Sequence, residues 1–440
     1  MRLTIDKKAL RPILLTFLAS WLVRLALAWA VGSFHNFDRR DVERLALALA
    51  HTGTIANMMV PGVPSAGEAP GYVILLAGIF RFFGDGALGE AVKVLACTAA
   101  SSLRCALTVW IASRLQLGRA VVIATAVLSV FWIGALNTEL QGDWDPPYTS
   151  VALILLCWFQ ESCPAEGRSL RRATLLGCAW ALGGYLNFSI FAVLAGFMFR
   201  DLLVFGKCNL RRFLSQSICV AAAVFVVLAP WGIRNRITLG EWVFTRDMLG
   251  YALAVAYHDG AHWGEPFNNH PGRLIPGHEN DLSLSPYPFL NVKLRPEVVR
   301  LGEVEWDRRQ RREALAWIAA HPGQSLILMA QHAFFFWFPP SADFTSDVPR
   351  VVAWPYAIAR WMLTLLALAG WLRLRNLAAP AAQWTAVILL TFPVVYYLVS
   401  WSSRYRMPIE WVLVLLAGVA VAGVYDKFPA RPGVPSTPRP

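Results

Sequence analysis

The sequence predicts an all-α integral membrane protein of about 11–12 transmembrane helices, with juxtamembrane helices in its first outer loop. Three observations carry that prediction. Of 440 residues, 56% are hydrophobic and 15% charged, against about 45–50% and about 25% in a soluble domain. The apolar residues gather in runs near the roughly 20 residues that cross about 30 Å of hydrocarbon. The 40 Lys and Arg outnumber the 28 Asp and Glu, giving +12, and they lie in short loops between the runs. A nucleic-acid reader would cluster them on a polar domain instead. This composition excludes an ordinary cytosolic enzyme and a disordered chain. The 19 Trp suit a protein anchored at two membrane–water interfaces.

Taken in order, the candidate spans are 11–33, 92–113, 119–136, 147–161, 172–187, 188–206, 213–232, 353–372, 381–400 and 407–424, with 71–84 and 324–338 ambiguous. The first run is too long for a signal peptide and lacks a small-residue cleavage site, so it reads as a retained span. Basic loops mark the cytoplasmic side: Arg2, Lys7, Lys8 and Arg11, then Arg114 and Arg119, then Arg168, Arg171 and Arg172, then Lys207, Arg211 and Arg212. Parity then leaves one crossing between residues 34 and 113, so 71–84 is a juxtamembrane or re-entrant helix. Segments 34–90, 137–146 and 233–322 emerge together on the outer side. Seven of the eight His fall in those segments, whereas all seven Cys fall in spans or inner loops. If 324–338 crosses, Arg404 and Arg406 face inward. If it lies along the interface they face outward and Arg373 and Arg375 inward, which the charge rule favours. The chain thus divides into a seven-span module at 1–232 with the outer loop 34–90, an outer loop or lid at 233–322, C-terminal spans at 323–426, and a Pro-rich tail at 427–440 expected to be disordered.

The first outer loop opens with Asp38, Arg39, Arg40, Asp41 and Glu43, followed by a helical run ending at Gly53, a natural helix stop. Asp38 and Asp41 are three residues apart, so on a helix they share a face. They could present a catalytic pocket at the membrane surface, or merely favour a helix N-terminus by about 0.3–1 kcal/mol. Downstream come Gly53-x8-Gly62, Glu68-Ala69-Pro70-Gly71-Tyr72 and Phe82-Phe83-Gly84. This order resembles the first outer loop of GT-C glycosyltransferases that use polyprenyl-phosphate sugars, a group that includes protein mannosyltransferases and lipid A aminoarabinose transferases. Within it the loop is most similar to the bacterial RgtA/B/C/D-like, family 39-like branch. Two positions depart: Val42 stands where the family often has Tyr, and Ala69-Pro70-Gly71 replaces a double Pro.

The resemblance continues at Asn137-Thr138-Glu139-Leu140, Pro230-Trp231-Gly232-Ile233-Arg234-Asn235, Gly250-Tyr251, the helix Ala314–Pro322, and Arg404-Tyr405-Arg406-Met407-Pro408. It implies the GT-C fold and transfer of a monosaccharide from a polyprenyl-phosphate donor to a cell-envelope acceptor, on the extracytoplasmic face of the inner membrane. Such a transfer needs a carboxylate base for the acceptor hydroxyl and cations for the leaving phosphate. Asp38 is the expected base, with Asp41 or Glu139 assisting. Arg404 and Arg406 are the expected phosphate ligands, with Arg234 in reserve, although snorkelling at the interface also accounts for the first two. Tyr72, Trp231 and Tyr251 are the expected substrate-loop residues. No Walker A or GxGxxG motif is present, and no nucleic-acid partner is expected. No cofactor is assigned; His258-Asp259-x-x-His262 could ligand a divalent metal, but a solvent-exposed loop pair is the favoured reading, because no further ligand follows at a recognised spacing. Arg24 and Arg104 lie inside predicted spans, where charge is costly. A transporter or lipid-linked flippase would show pseudo-repeats and interrupted spans, which are not evident here; a non-catalytic envelope scaffold is the other alternative.

Overall fold

Each apolar run of the sequence is helical in the computed structural model, which describes residues 7–37, 39–132, 134, 137–206, 209–261, 263, 285–341, 350–399 and 401–425. A first span α1 (Lys7–Ala30) leads to the outer helices α2 (Asp41–Thr52) and α3 (Pro70–Phe83). Then come α4 (Ala87–Arg114), α5 (Arg119–Phe131), α6 (Pro146–Ser162), α7 (Leu170–Gly184), α8 (Ile190–Asp201) and the long α9 (Leu210–Leu239). The outer segment carries α10 (Leu249–Ala256), α11 (Arg295–Leu301) and α12 (Glu303–Ala320), followed by α13 (Pro322–Trp337). The chain returns through α14 (Arg350–Leu377), α15 (Ala379–Thr391), α16 (Val394–Val399) and α17 (Met407–Tyr425).

Local chemistry sets many of these limits. Glu43 in the first turn of α2 accepts from the Arg40 N–H at 3.3 Å, and the helix stops at Gly53, whose φ of 74° is open to glycine at little cost. Pro70 opens α3 and Pro146 opens α6, positions where a missing N–H is harmless. Ser169 caps α7 through the Arg172 N–H at 3.3 Å, and Asn209 caps α9 through the Arg212 N–H at 3.2 Å, each satisfying one orphan donor.

Among the described residues, six helices are long and apolar enough to cross a membrane: α1, α4, α9, α14, the stretch Ala379–Val399, and Arg404–Gly423 around α17. Of the other four predicted crossings, α5, α7 and α8 are shorter than expected, at 13, 15 and 12 residues, whereas α6, at 17, slightly exceeds its predicted 147–161. Helix α5 ends at Phe131, with Trp132 extended, and there Arg24 takes the carbonyls of Val130 and Trp132. Helix α4 instead starts five residues before its predicted limit. Its first turns carry Glu90 and Lys93, which pair with each other and with Arg39 and Glu43, so Glu90, placed in the outer loop from sequence, is buried in helix.

Sidedness shows in what packs together. One apolar cluster joins Val42, Leu45, Tyr72 and Phe80 of the first outer loop to Trp231, Met248, Tyr251, Tyr287 and Trp306, with Trp144 and Tyr148 against it. All three predicted outer segments therefore share one end of the bundle. At the other end Arg168 pairs with Asp201, Gln216 donates to Arg168, and Arg114 lies over Trp158. Helix α13 does not cross: Gln324 near its start reaches Ala261 of the outer segment, and Trp337 at its end accepts from Arg406. Arg404 stacks on Trp144 at the outer end, while Arg373 reaches Val419 near the far end of α17. Arg404 and Arg373 thus lie at opposite ends of the bundle, the arrangement that the alternative without a crossing at 324–338 requires.

The membrane core centres on α17, 83% of whose apolar window is buried, ringed by α4, α5, α6, α8, α14 and α15. Trp180, Trp306, Trp401 and Trp411 are fully buried, so the tryptophans fill the interior as well as any interface. The charges inside the spans find partners. Glu139 accepts from Arg24 at 3.1 Å and from Arg104 at 3.0 Å, with all three side chains at most 4% exposed. A second group joins Glu410 to Arg360 at 2.7 Å, Arg406 at 3.1 Å and the Trp132 Nε1 at 2.9 Å.

Candidate active-site cavity

At the outer end a polar cavity of about 470 Å³ opens between the start of α6, the loop before α8, the start of α10, α16 and the start of α17. Two carboxylates line it, Glu68 just before α3 and Asp145 at the start of α6, and two guanidiniums, Arg246 and Arg404. The Arg404 guanidinium lies 3.6 Å above the Trp144 ring, a cation–π contact that holds the charge in place. Arg246 lies 3.5 Å from Glu68. Asp145 accepts from Asn187 at 3.1 Å and Thr149 at 2.6 Å. Tyr405 stacks on Tyr396 at 4.5 Å, and the Tyr396 hydroxyl meets Ser189 at 2.9 Å.

Burial is the main cause that raises the Glu68 carboxyl above its ordinary pKa; Arg246 and Arg404 oppose it, and nearby Asp41 and Asp145 add to it. Burial likewise raises Asp145, against its bonds from Thr149 and Asn187. Two acids whose charged form is disfavoured, beside two fixed cations and aromatic faces, can exchange protons, hold an anion and stack on a ring.

A second cavity, of about 460 Å³, is apolar and runs between α8 and α9, lined by Leu194, Met198, Val220, Val224 and Phe225. Phe191 lines both cavities. The two cavities are therefore neighbours, one with charged residues in its wall and one almost wholly apolar.

The residues expected to form the site are dispersed. Asp38 lies outside the described residues. Asp41 pairs with Arg44 at 2.5 Å and stands close enough to Glu68 to act on its charge. Arg404 lines the cavity; Arg406 is 1% exposed, bound to Glu410, Thr364 and the Trp337 carbonyl, and does not line it. Arg234 spends its donors on the Ile55 and Ser65 carbonyls at 2.9 and 2.8 Å. Glu139 is clamped in the membrane core. Tyr72 donates to the Gly142 carbonyl, Trp231 to the Thr245 carbonyl at 2.7 Å, and Tyr251 packs between Tyr287 and Trp306. These side chains brace the walls of the cavity from behind. Glu68, Asp145, Arg246 and Trp144 line it and were not singled out from sequence, although Glu68 and Asp145 each stand just ahead of a proline-opened outer helix. Among the described residues no three His, Cys, Asp or Glu side chains gather as a metal site. His262 of the proposed metal pair lies outside them, and Asp259 accepts from Trp317 at 2.7 Å.

The outer segment is latched to the cavity by acids on α12. Glu303 accepts from Ser65 at 2.9 Å and the Ala66 N–H at 2.8 Å, and Asp307 accepts from the N–H groups of Gly250 and Tyr251 at 2.9 and 2.8 Å. Burial pushes Glu303 from 4.5 to about 8, with Asp247 and Asp307 adding to it. The folded protein thus keeps a proton that the unfolded chain releases near 4.5. Stability from this group is full below that value and declines as pH rises to about 8. Glu303→Gln keeps the acceptor but cannot ionise. It is expected to flatten the fall in thermal midpoint across this window; a variant with the wild-type slope would place the titration elsewhere.

Neither a protein-family model nor a curated sequence matches the chain. A solved structure does: the archaeal oligosaccharyltransferase AglB from Archaeoglobus fulgidus, in complex with an inhibitory peptide and a dolichol-phosphate, superposes with a TM-score of 0.53 at 13% identity. The match spans 97% of this chain. The fold is GT-C. The chain covers 53% of the archaeal enzyme, about half its length.

Proposed function

We propose that the chain is a membrane glycosyltransferase that moves a monosaccharide from a polyprenyl-phosphate donor to a cell-envelope glycolipid, polysaccharide or protein. The observation that supports this most is that one residue, Phe191, lines both the charged cavity and the apolar one. That shape suits an amphiphile whose charged head lies among Arg404, Arg246, Glu68 and Asp145 and whose hydrocarbon tail follows α8 and α9. The neighbour holding a dolichol-phosphate and the RgtA/B/C/D-like motifs support the same donor class. In this reading the basic loops face the cytoplasm, and the cavity opens on the extracytoplasmic side of the inner membrane. Segment 233–322 serves as the lid.

In the reaction the acceptor O–H gives its proton to a carboxylate as its oxygen bonds to the anomeric carbon. The bond from that carbon to the phosphate oxygen breaks, and the polyprenyl phosphate leaves with the electron pair. Asp38 is our base, carried by the motif it shares with the family, with Asp41 orienting it. Arg404 and Arg246 take the charge that develops on the phosphate, where preorganised donors are most effective. Mass spectrometry of envelope glycans and lipids from cells with and without the gene tests the reading. A monosaccharide missing from one envelope component is expected; unchanged envelope chemistry would count against any transfer.

A further inference from the structure

We propose that the end of the bundle opposite the polar cavity binds the phosphate of an anionic phospholipid headgroup, in a cavity between the N-termini of α7 and α9. This cavity measures about 420 Å³ and is lined by Arg168, Ser169, Asn209, Arg211, Arg212 and Gln216, among others. No acid lines it. The two helices, of 15 and 30 residues, both begin at its wall, so two positive dipole ends converge with three guanidiniums on one space.

A buried group independently points to a ligand. Arg168 is 1% exposed. Its Nε donates to the Cys163 carbonyl at 2.9 Å and its Nη2 to Asp201 at 3.0 Å, but its Nη1 has no partner among the described residues. Leaving a charged donor buried and unpaired is costly unless something in the adjoining space accepts from it. Beside it Gln216 is fully buried, gives both hydrogen bonds of its Nε2 to the Ala165 and Arg168 carbonyls, and leaves its Oε1 unpaired. A phosphate oxygen satisfies Arg168, and a headgroup hydroxyl satisfies Gln216. Asp201, the one acid touching Arg168, is already shared with Arg200.

The surroundings favour a lipid over free phosphate. Leu170, Leu210 and Leu214 are exposed beside the cavity, on helices whose far portions run through the membrane core, so acyl chains have an apolar surface to follow. Arg211 and Arg212 are exposed at its mouth, at the level where basic side chains meet anionic headgroups.

Native mass spectrometry of the full chain in detergent, titrated with phosphatidylglycerol, phosphatidylcholine of the same acyl chains, or inorganic phosphate, tests this. Phosphatidylglycerol is expected to remain bound where phosphatidylcholine does not. The double variant Arg211→Gln/Arg212→Gln is expected to weaken it about thirtyfold, near the effect of two basic groups at a lipid surface, with an unchanged thermal midpoint in the absence of lipid. Ser215→Phe, which fills the mouth and leaves every charge in place, is expected to weaken it too. Equal retention of both lipids, or full affinity in both variants, would overturn the site. Displacement of the lipid by millimolar inorganic phosphate would overturn the lipid as its source.

Discussion

Replacing Asp38 with Asn is expected to lower transfer from a defined polyprenyl-phosphate sugar by about 10²- to 10⁴-fold, the share a positioned general base supplies. Arg404→Gln is expected to lower it by about 10²- to 10³-fold, as for loss of one preorganised donor to developing charge. The two should differ in character. Without the base, kcat falls while donor binding holds; without Arg404, which stacks on Trp144 inside the cavity, KM for the donor rises as well. Both variants should retain the wild-type thermal midpoint in detergent. Glu68→Gln and Asp145→Asn belong in the same assay, because both carboxylates line the cavity. If either stops transfer while Asp38→Asn stays active, the base is on the cavity wall and our assignment is wrong.

Glu139→Gln is expected to destabilise the fold by about 3–5 kcal/mol, the effect of removing one partner from a buried ion pair. Here one carboxylate faces two guanidiniums, Arg24 and Arg104, both within 3.1 Å and buried. Its loss leaves two charges without their counter-ion where water cannot reach them. Thermal unfolding in detergent reads the effect directly. Whatever protein survives should still transfer sugar, because Glu139 does not line the cavity. An unchanged midpoint would show that this triad contributes nothing to the fold.

The helices and their common outer end were legible in the sequence, because hydropathy and the placement of Arg and Lys are local signals that survive without any knowledge of packing. The ends of individual helices were less so. Glu90 read as loop because its partner Arg39 comes from the flank of another helix, 51 residues earlier in the chain. Arg234 and Arg406 have the right residue type for a phosphate ligand, yet backbone carbonyls and Glu410 use their donors. Residue type alone cannot tell an arginine that binds a substrate from one that ties two segments together. Glu68 and Asp145 left a trace that was not tied to the site: an acid one or two residues ahead of a proline-opened helix, Glu68 within a motif already noted. Arg246 left none, since its place depends on how the 240s fold back over Ser65 and Ala66.

The pairing of Arg24 with Glu139 also bears on how the protein is made. Arg24 lies on α1, and its counter-charge follows 115 residues later in the chain. At about 5–20 residues per second, synthesis takes roughly 6–23 s to reach Glu139. During that interval the first helix carries an unpaired guanidinium at a depth where insertion costs about 2.5–3.5 kcal/mol. The nascent chain must therefore wait at the insertion machinery, or hold α1 near the surface, until α4 and α5 arrive to enclose the charge.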